Sequence, residues 1–590
     1  MRAVRPIIAL ALLLAAQANA AFAQQAADTV APESRSAVSA KQAVHASRQM
    51  VVAANPIAAQ AGLDALRAGG SAADAVVAVQ TVLGLVEPQS SGLGGGAFLT
   101  WYDAKSGTVT TFDGRETAPA AATPALFLGA DGKPLGFFDA VVGGRSVGVP
   151  GVPRLLETVH AKYGRLGWAE LMDPAIKLAE GGFAVSPRLH AMITQDVGRL
   201  DTQPATRAYF FDALGAPVTA GAVVRNPDYA ASLRTIAEGG ADAFYRGPIA
   251  DKIVAAVQSH PTNPGSLSLD DLANYQVKER PAACAPYRGL SVCGMGPPSS
   301  GALTIGQILG MVEPFDIATL GPEDPESWRI VGDATRLAFA DRERYIADSD
   351  FVNIPKGLLN ADYLKARSAL IRRPTALPDD AVAAGEPSWD KAELGGAEPR
   401  IDGVAFDMPA TTHFTIVDAD GNVAAMTSSV ENAFGSRQMA GGFILNNQLT
   451  DFSFAPEKDG AAVANRVEPG KRPRSSMAPT IVLKDGKPFY ALGSPGGSSI
   501  IPYVATTLIA LIDWKLDMQA AISMPHMLNR FGTFELEAGT TAENLAGDLE
   551  ALGYKIKIGD QNSGLHGVAI MPDGLTGGAD PRREGIALGD

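Results

Sequence analysis

The sequence predicts an α+β protein in which antiparallel sheets are stacked and helices form the outer layers. Two hairpin patterns carry this reading, at residues 411–430 and 480–492, and two apolar helical patterns follow them, at 500–512 and 518–523. No repeat with a period of 20 to 50 residues is visible, so a solenoid is excluded.

The elements follow in chain order. Arg2 and Arg5 precede an apolar run, Ile7 to Ala16, too short to span a bilayer. Ala18-Asn19-Ala20 and Ala21-Phe22-Ala23 each offer a small-x-small cleavage site, so residues 1–23 are expected to be an export signal cut after Ala23. The mature protein is then expected in the periplasm, without a membrane span. Asn55-Pro56 opens a helix over Ile57 to Leu66 that stops at Gly69-Gly70, and Ser71 opens a second over Ala75 to Val86, ending before Pro88. Phe98 to Tyr102 alternates as a strand, and Asp113-Gly114-Arg115 closes another, with Arg115 expected to be exposed. Residues 150–390 alternate helical patterns with Pro and Gly. Thr411 to Asp418 is a β-branched alternating strand, Ala419-Asp420-Gly421-Asn422 a hairpin turn, and Val423 to Val430 the return strand. A second hairpin turns at Asp485-Gly486. From Phe534 the order reads strand, helix, strand, hairpin.

Composition narrows the function. The chain has 590 residues, 46% hydrophobic and 19% charged, which suits a folded globular protein despite 63 glycines. Its net charge is −14, and the only dense basic stretch is Lys471-Arg472-Pro473-Arg474, so duplex nucleic acid is excluded as a partner. Two cysteines, Cys284 and Cys293, rule out a disulfide framework. They could pair across the intervening turn or stay as thiols. Seven histidines are scattered without metal-ligand spacing, and no phosphate loop occurs, so neither metal nor cofactor is expected. Gly92-Leu93-Gly94-Gly95-Gly96-Ala97 has the spacing of a dinucleotide fingerprint but leads into a strand rather than a helix. Gly144-Arg145-Ser146-Val147-Gly148 matches a nucleophile elbow, yet Val149-Pro150-Gly151-Val152-Pro153 reads as unable to supply the helix an elbow needs.

Hydroxyl and glycine clusters remain: Thr411-Thr412 opening a strand, Ser475-Ser476 in a loop, and Gly496-Gly497 within Gly-Ser-Pro-Gly-Gly-Ser-Ser. A threonine nucleophile needs a base, and one solution is the α-amine exposed when the chain is cut before it. The order of several segments closely resembles the γ-glutamyltransferases (γ-glutamyltranspeptidases) of the N-terminal nucleophile hydrolase superfamily. These segments are Gly69 to Ala75, Val86 to Gly96, Arg115-Glu116-Thr117-Ala118-Pro119, Pro297 to Gly301, Thr411-Thr412-His413, Leu445 to Gln448 with Asp451-Phe452-Ser453, Arg472 to Met477, and Gly493 to Gly497. The resemblance spans residues 45–585.

It implies a four-layer αββα sandwich, a precursor that cuts itself between Ala410 and Thr411, and a large subunit (24–410) and a small one (411–590) intertwined as one domain. A prior of several domains from length alone gives way to that. Thr411 is implied as nucleophile, its α-amine as base, and glutathione or another γ-glutamyl compound as donor, with water, amino acids or peptides as acceptors. Arg115, Ser475 and Ser476 would take the donor's α-carboxylate. Asp451 and Gln448 would hold its α-ammonium, with Glu431 beside them. Gly496 and Gly497 would form the oxyanion hole through backbone N–H groups, and Ser429 would bond the nucleophile. Ser429 stands where the family usually has threonine, and Glu431 where asparagine is typical. The stretch from Asp451 to Ser475 is shorter than in members with a lid loop, which implies an open site. The rival readings are a glutaryl-type cephalosporin acylase of the same fold and a secreted binding protein on an inactive scaffold.

Overall fold

The computed structural model describes residues 39–389 and 410–590; the expected export signal lies outside them. In chain order, the strands of the two main sheets are β1 Val44–Ala46, β2 Met50–Ala53, β3 Gly96–Asp103, β4 Thr108–Gly114, β5 Lys278–Pro281, β6 Ala283–Tyr287 and β7 Leu290–Gly294. The remainder are β8 Thr411–Val417, β9 Val423–Ser429, β10 Thr480–Lys484, β11 Lys487–Gly493, β12 His566–Met571, β13 Gly574–Ala579 and β14 Ile586–Gly589. One sheet runs β1-β13-β12-β11-β10-β7-β6 and the other β14-β2-β8-β9-β3-β4-β5. Neighbours pair antiparallel throughout both.

Helices α1 Pro56–Arg67 and α2 Ala72–Val86 cover the outer face of the second sheet; α3 Gly301–Val312, α4 Ile500–Ile512 and α5 Met518–Ser523 cover that of the first. Local chemistry sets where they begin. Asn55 accepts a hydrogen bond from the Ile57 N–H ahead of Pro56, and Ser71 with Asp74 closes a capping box on α2. Every residue of α2 is buried, because further helices cover its other side. Between the sheets lie Met50, Val52, Val417, Val423, Ile481, Ala491 and Val568. Each such Val, Ile or Met side chain is worth about 1.5–3 kcal/mol when fully buried. The layers are therefore helix, sheet, sheet, helix, as expected.

The alternation of β8 has a meaning that polarity alone does not suggest. All seven of its residues are buried. Phe414 and Ile416 pack under the helices, whereas Val417 faces the other sheet and Thr415 bonds the His566 carbonyl there at 3.3 Å. The polar face (Thr411, His413, Thr415) thus looks into the sandwich rather than into water.

Several local expectations need correction. Arg115 is fully buried, not exposed. A helix does follow Gly144–Gly148, at Val152–Tyr163, because Pro153 falls in its first turn, where no N–H partner is lost. Ser146 is nonetheless no nucleophile, since its buried hydroxyl donates to the Val141 carbonyl at 2.7 Å. Strand β14 and the β5–β7 run were hidden by short length and interrupting prolines. The strand–helix–strand stretch after Phe534 forms a separate small sheet, in which Thr533–Glu537 pairs parallel with Lys555–Gly559. Cys284 and Cys293 face each other across β6 and β7 and are disulfide-bonded. Among the described residues no helix is long and apolar enough to cross a membrane.

Candidate active site

Thr411 opens β8 directly opposite Ser429, the last residue of β9, in a register of seven residue pairs. The Thr411 hydroxyl donates to Ser429 Oγ at 3.2 Å, and Ser429 Oγ donates to the carbonyl of Ala410 at 2.8 Å. The Glu431 N–H also points at Ser429 Oγ, at 2.8 Å, so the serine is fixed from three sides. Glu431 adopts φ 79°, a left-handed turn that carries the chain away from β9 while its carboxylate accepts from Asn447. Behind Thr411, His413 is bonded to Thr427 (2.8 Å) and Thr415 (3.1 Å). Burial holds its pKa well below the usual histidine value, so it is neutral. Gly493 is glycine because a Cβ there would meet the His413 ring at 2.4 Å.

Nine of the ten expected catalytic and substrate-binding residues line one small pocket: Arg115, Thr411, Ser429, Glu431, Gln448, Asp451, Ser475, Ser476 and Gly497, with Met477 and Ile500. Gly496 stands next to it at φ 138°, against the Tyr503 ring, where a Cβ would come within 2.9 Å. Arg115 leaves the end of β4 and is anchored on the far strand-connecting segment. Its Nε and Nη2 donate to the carbonyls of Pro473 (3.1 Å) and Arg474 (3.0 Å), and Nη2 also to Asp451. Gln448 and Asp451 share one short helical turn. Gln448 Oε1 is buried and accepts no hydrogen bond among the described residues, so it is available to a cationic donor. Ser475 lies beside Ser299, and the Ser476 hydroxyl receives Arg342 at 2.7 Å. Asn465 ties this wall together, bonding the Asp451 carbonyl (2.7 Å) and the Arg474 N–H (2.9 Å). None of residues 452–474 lines the pocket.

The sequence reading did not single out three residues here. Glu116, wholly buried beside Arg115, has its pKa pushed up to about 8, mainly by burial and against the pull of that arginine. Its acidic character next to Arg115 was the available signal. Arg342, which also bonds Ser300 at 2.9 Å, and Arg583, which donates to the Thr411 carbonyl at 3.1 Å, carry no local motif. Among the described residues no cluster of His, Cys, Asp or Glu could hold a metal ion. The arrangement has the parts of a covalent acyl-transfer site: a hydroxyl in a relay, paired carboxylates for a cation, and an arginine with two serines for an anion.

The family model for Gamma-glutamyltranspeptidase matches residues 58–590. The chain is 36% identical over 548 residues to a protein from Bacillus subtilis (strain 168) named "Glutathione hydrolase proenzyme", covering 92% of this chain and 91% of that one. It is likewise 36% identical over 551 residues to the protein of that name from Escherichia coli (strain K12), with 91% of each covered. Among solved structures, a cephalosporin acylase from Bacillus halodurans superposes with a TM-score of 0.80 at 27% identity, covering 95% of this chain and 99% of that one.

Proposed function

The chain belongs to the gamma-glutamyltranspeptidase family, and on that premise we propose how its residues divide the work. The protein is a gamma-glutamyltransferase and glutathione hydrolase that cleaves γ-glutamyl amide bonds. The observation that carries the site assignment is the relay from Thr411 Oγ through Ser429 Oγ to the Ala410 carbonyl.

In the uncut chain, Thr411 Oγ attacks the Ala410 carbonyl carbon. Its proton passes to Ser429 Oγ as the serine proton moves to the carbonyl oxygen. The hydroxyl proton of this intermediate passes to the Thr411 nitrogen as the Ala410–Thr411 C–N bond breaks and the C=O re-forms, leaving an ester that water hydrolyses. This yields a large subunit (24–410), a small subunit (411–590) and a free α-amine on Thr411. That amine, with a pKa near 8 in free peptides, then takes the Oγ proton as Oγ attacks the donor's γ-carbonyl. It returns the proton to the leaving amine, and the acyl-enzyme passes to water or to an amino acid or peptide amine.

Arg115, Ser475 and Ser476 hold the donor's α-carboxylate, and Glu431, Gln448 and Asp451 its α-ammonium. The N–H groups of Gly496 and Gly497 stabilise the oxyanion, where missing side chains permit close approach. Export to the periplasm through residues 1–23 belongs to the same proposal.

The paired carboxylates separate this reading from an acylase acting on glutaryl groups. A glutaryl chain sets a plain methylene where a γ-glutamyl donor sets its ammonium against Glu431 and Asp451, so it forgoes a charge-assisted hydrogen bond worth about 1.5–3 kcal/mol. With γ-glutamyl- and glutaryl-p-nitroanilide assayed side by side, the γ-glutamyl compound should lead by at least about 100-fold in kcat/KM, equivalent to ~2.7 kcal/mol. Equal or better cleavage of the glutaryl compound would make the protein an acylase.

A further inference from the structure

Strand β2 ends at Ala53, opposite Phe414, so Thr411, Thr412 and His413 extend past it without a ladder partner on that side. The turn before β14 closes over this gap. Ile586 of β14 pairs with Ala53, and Gly585 packs so tightly that a Cβ would lie 2.1 Å from His566 and 2.7 Å from the Ala53 carbonyl. From that turn, the buried Arg583 sends Nη1 to the Thr411 carbonyl (3.1 Å) and Nε to the Ser563 carbonyl (2.7 Å). The turn is strapped in its own right by the N-terminal segment. The Ser39 N–H donates to the Pro581 carbonyl at 3.0 Å, and Lys41 Nζ donates to the carbonyls of Arg583 (2.8 Å) and Gly585.

We propose that Arg583, strapped by Lys41, is a positioning residue for the nucleophile: it fixes the Thr411 main chain and lowers the proton affinity of the α-amine released there. This rests on the proposed cut at Ala410–Thr411. A residue's own carbonyl oxygen and nitrogen lie about 3 Å apart by backbone dimensions, which sets the guanidinium within about 6 Å of the amine. A positive charge at that distance disfavours an ammonium, and a shift of at least about one pH unit is ordinary for such pairs. Arg583 does not line the donor pocket, so it acts on the base without touching the substrate.

The other charged groups around Thr411 are accounted for. Arg115, Glu431 and Asp451 lie on the pocket side. His413 and His566 are buried and neutral, the latter with its pKa lowered to about 3 by burial. Asp580, Arg582 and Glu584 share the turn, with Asp580 and Arg582 bonded to each other at 3.2 Å. Lys41 itself is pushed down to about 8 by burial, against the pull of Asp580 and Glu584.

The test is the pH dependence of kcat/KM for γ-glutamyl-p-nitroanilide in the wild type, Arg583→Met, Arg583→Lys and Lys41→Met, each checked by denaturing mass analysis. In Arg583→Met the acid limb should move up by about one unit with KM within twofold, because only the base is altered. Arg583→Lys should restore most of the limb, and Lys41→Met should move it less in the same direction. A purely structural arginine would lower thermal stability and leave the limb in place. The proposal fails if the limb of Arg583→Met, or of Lys41→Met should the former not mature, coincides with wild type. Loss of soluble protein in all three variants also overturns it, assigning the cluster to folding alone. A wild type not cut before Thr411 defeats the underlying reading instead.

Discussion

Thr411 and Ser429 sit on neighbouring central strands locked by seven residue pairs, whereas Arg115, Gln448, Asp451, Ser475 and Ser476 come from strand ends, a short helical turn and loops. In the first region the sheet ladder fixes the geometry and the side chains add only the chemistry. In the second, geometry depends on side chains reaching across the chain, as Arg115 does to Asp451, 336 residues away. The place of the proposed nucleophile is thus set by backbone pairing, and that of the proposed substrate-binding residues by a buried polar network. Substitutions in the two regions should fail in different ways.

The largest effect is expected on the ladder side. Thr411→Ala removes the one hydroxyl proposed for both maturation and turnover, so self-cleavage and activity should both disappear, with turnover falling at least about 1000-fold. Cleavage at the same bond in that variant, read on a denaturing gel, would break the assignment. Arg115→Lys tests the network side. It keeps a charge but loses the planar fork that spans two carbonyls and Asp451. Losing one charge-assisted bond costs about 1.5–3 kcal/mol, or ~10- to 150-fold in kcat/KM. Maturation should proceed as in wild type. If Arg115→Lys blocks maturation instead, the two regions are not separable in the way described.

Much of the ladder side was legible in the sequence. Thr480–Lys484, Ile500–Ile512 and Met518–Ser523 fall where periodicity put them, and the 411–430 hairpin is placed to within a residue. Hairpins and apolar helices are local, so their signals survive in a single sequence. The network side is not local. Arg115 reads as a surface residue because nothing near it in sequence announces Asp451 or the carbonyls of residues 473 and 474. The role proposed for it came only from resemblance to a family. Arg583 was invisible even so, since what it supports is the end of a strand 172 residues earlier.

Smaller effects sharpen the contrast. Ser429→Ala removes the donor to the Ala410 carbonyl and should slow maturation and turnover by about 100-fold, the usual cost of one such donor. Ser429→Thr keeps the hydroxyl and should stay within a few-fold of wild type. A time course of precursor disappearance distinguishes them, and equal rates for Ala and Thr would remove Ser429 from the relay. Glu116→Gln should have the mildest effect. A carboxyl raised to about 8 in the folded state contributes stability that is full below its ordinary value and lost as pH rises through about 8. Wild-type Tm should therefore fall from pH 5 to pH 9 by about 1–2 °C more than that of the variant. Parallel Tm profiles would show that Glu116 is ionised throughout.

The most direct measurement is the intact mass of the purified protein under denaturing conditions, with the N-terminal residue of each chain identified. The account predicts two chains, one of them residues 411–590 beginning at Thr411. A single uncut chain that nevertheless hydrolyses γ-glutamyl-p-nitroanilide, or a cut that leaves Thr411 inside a chain, would contradict it.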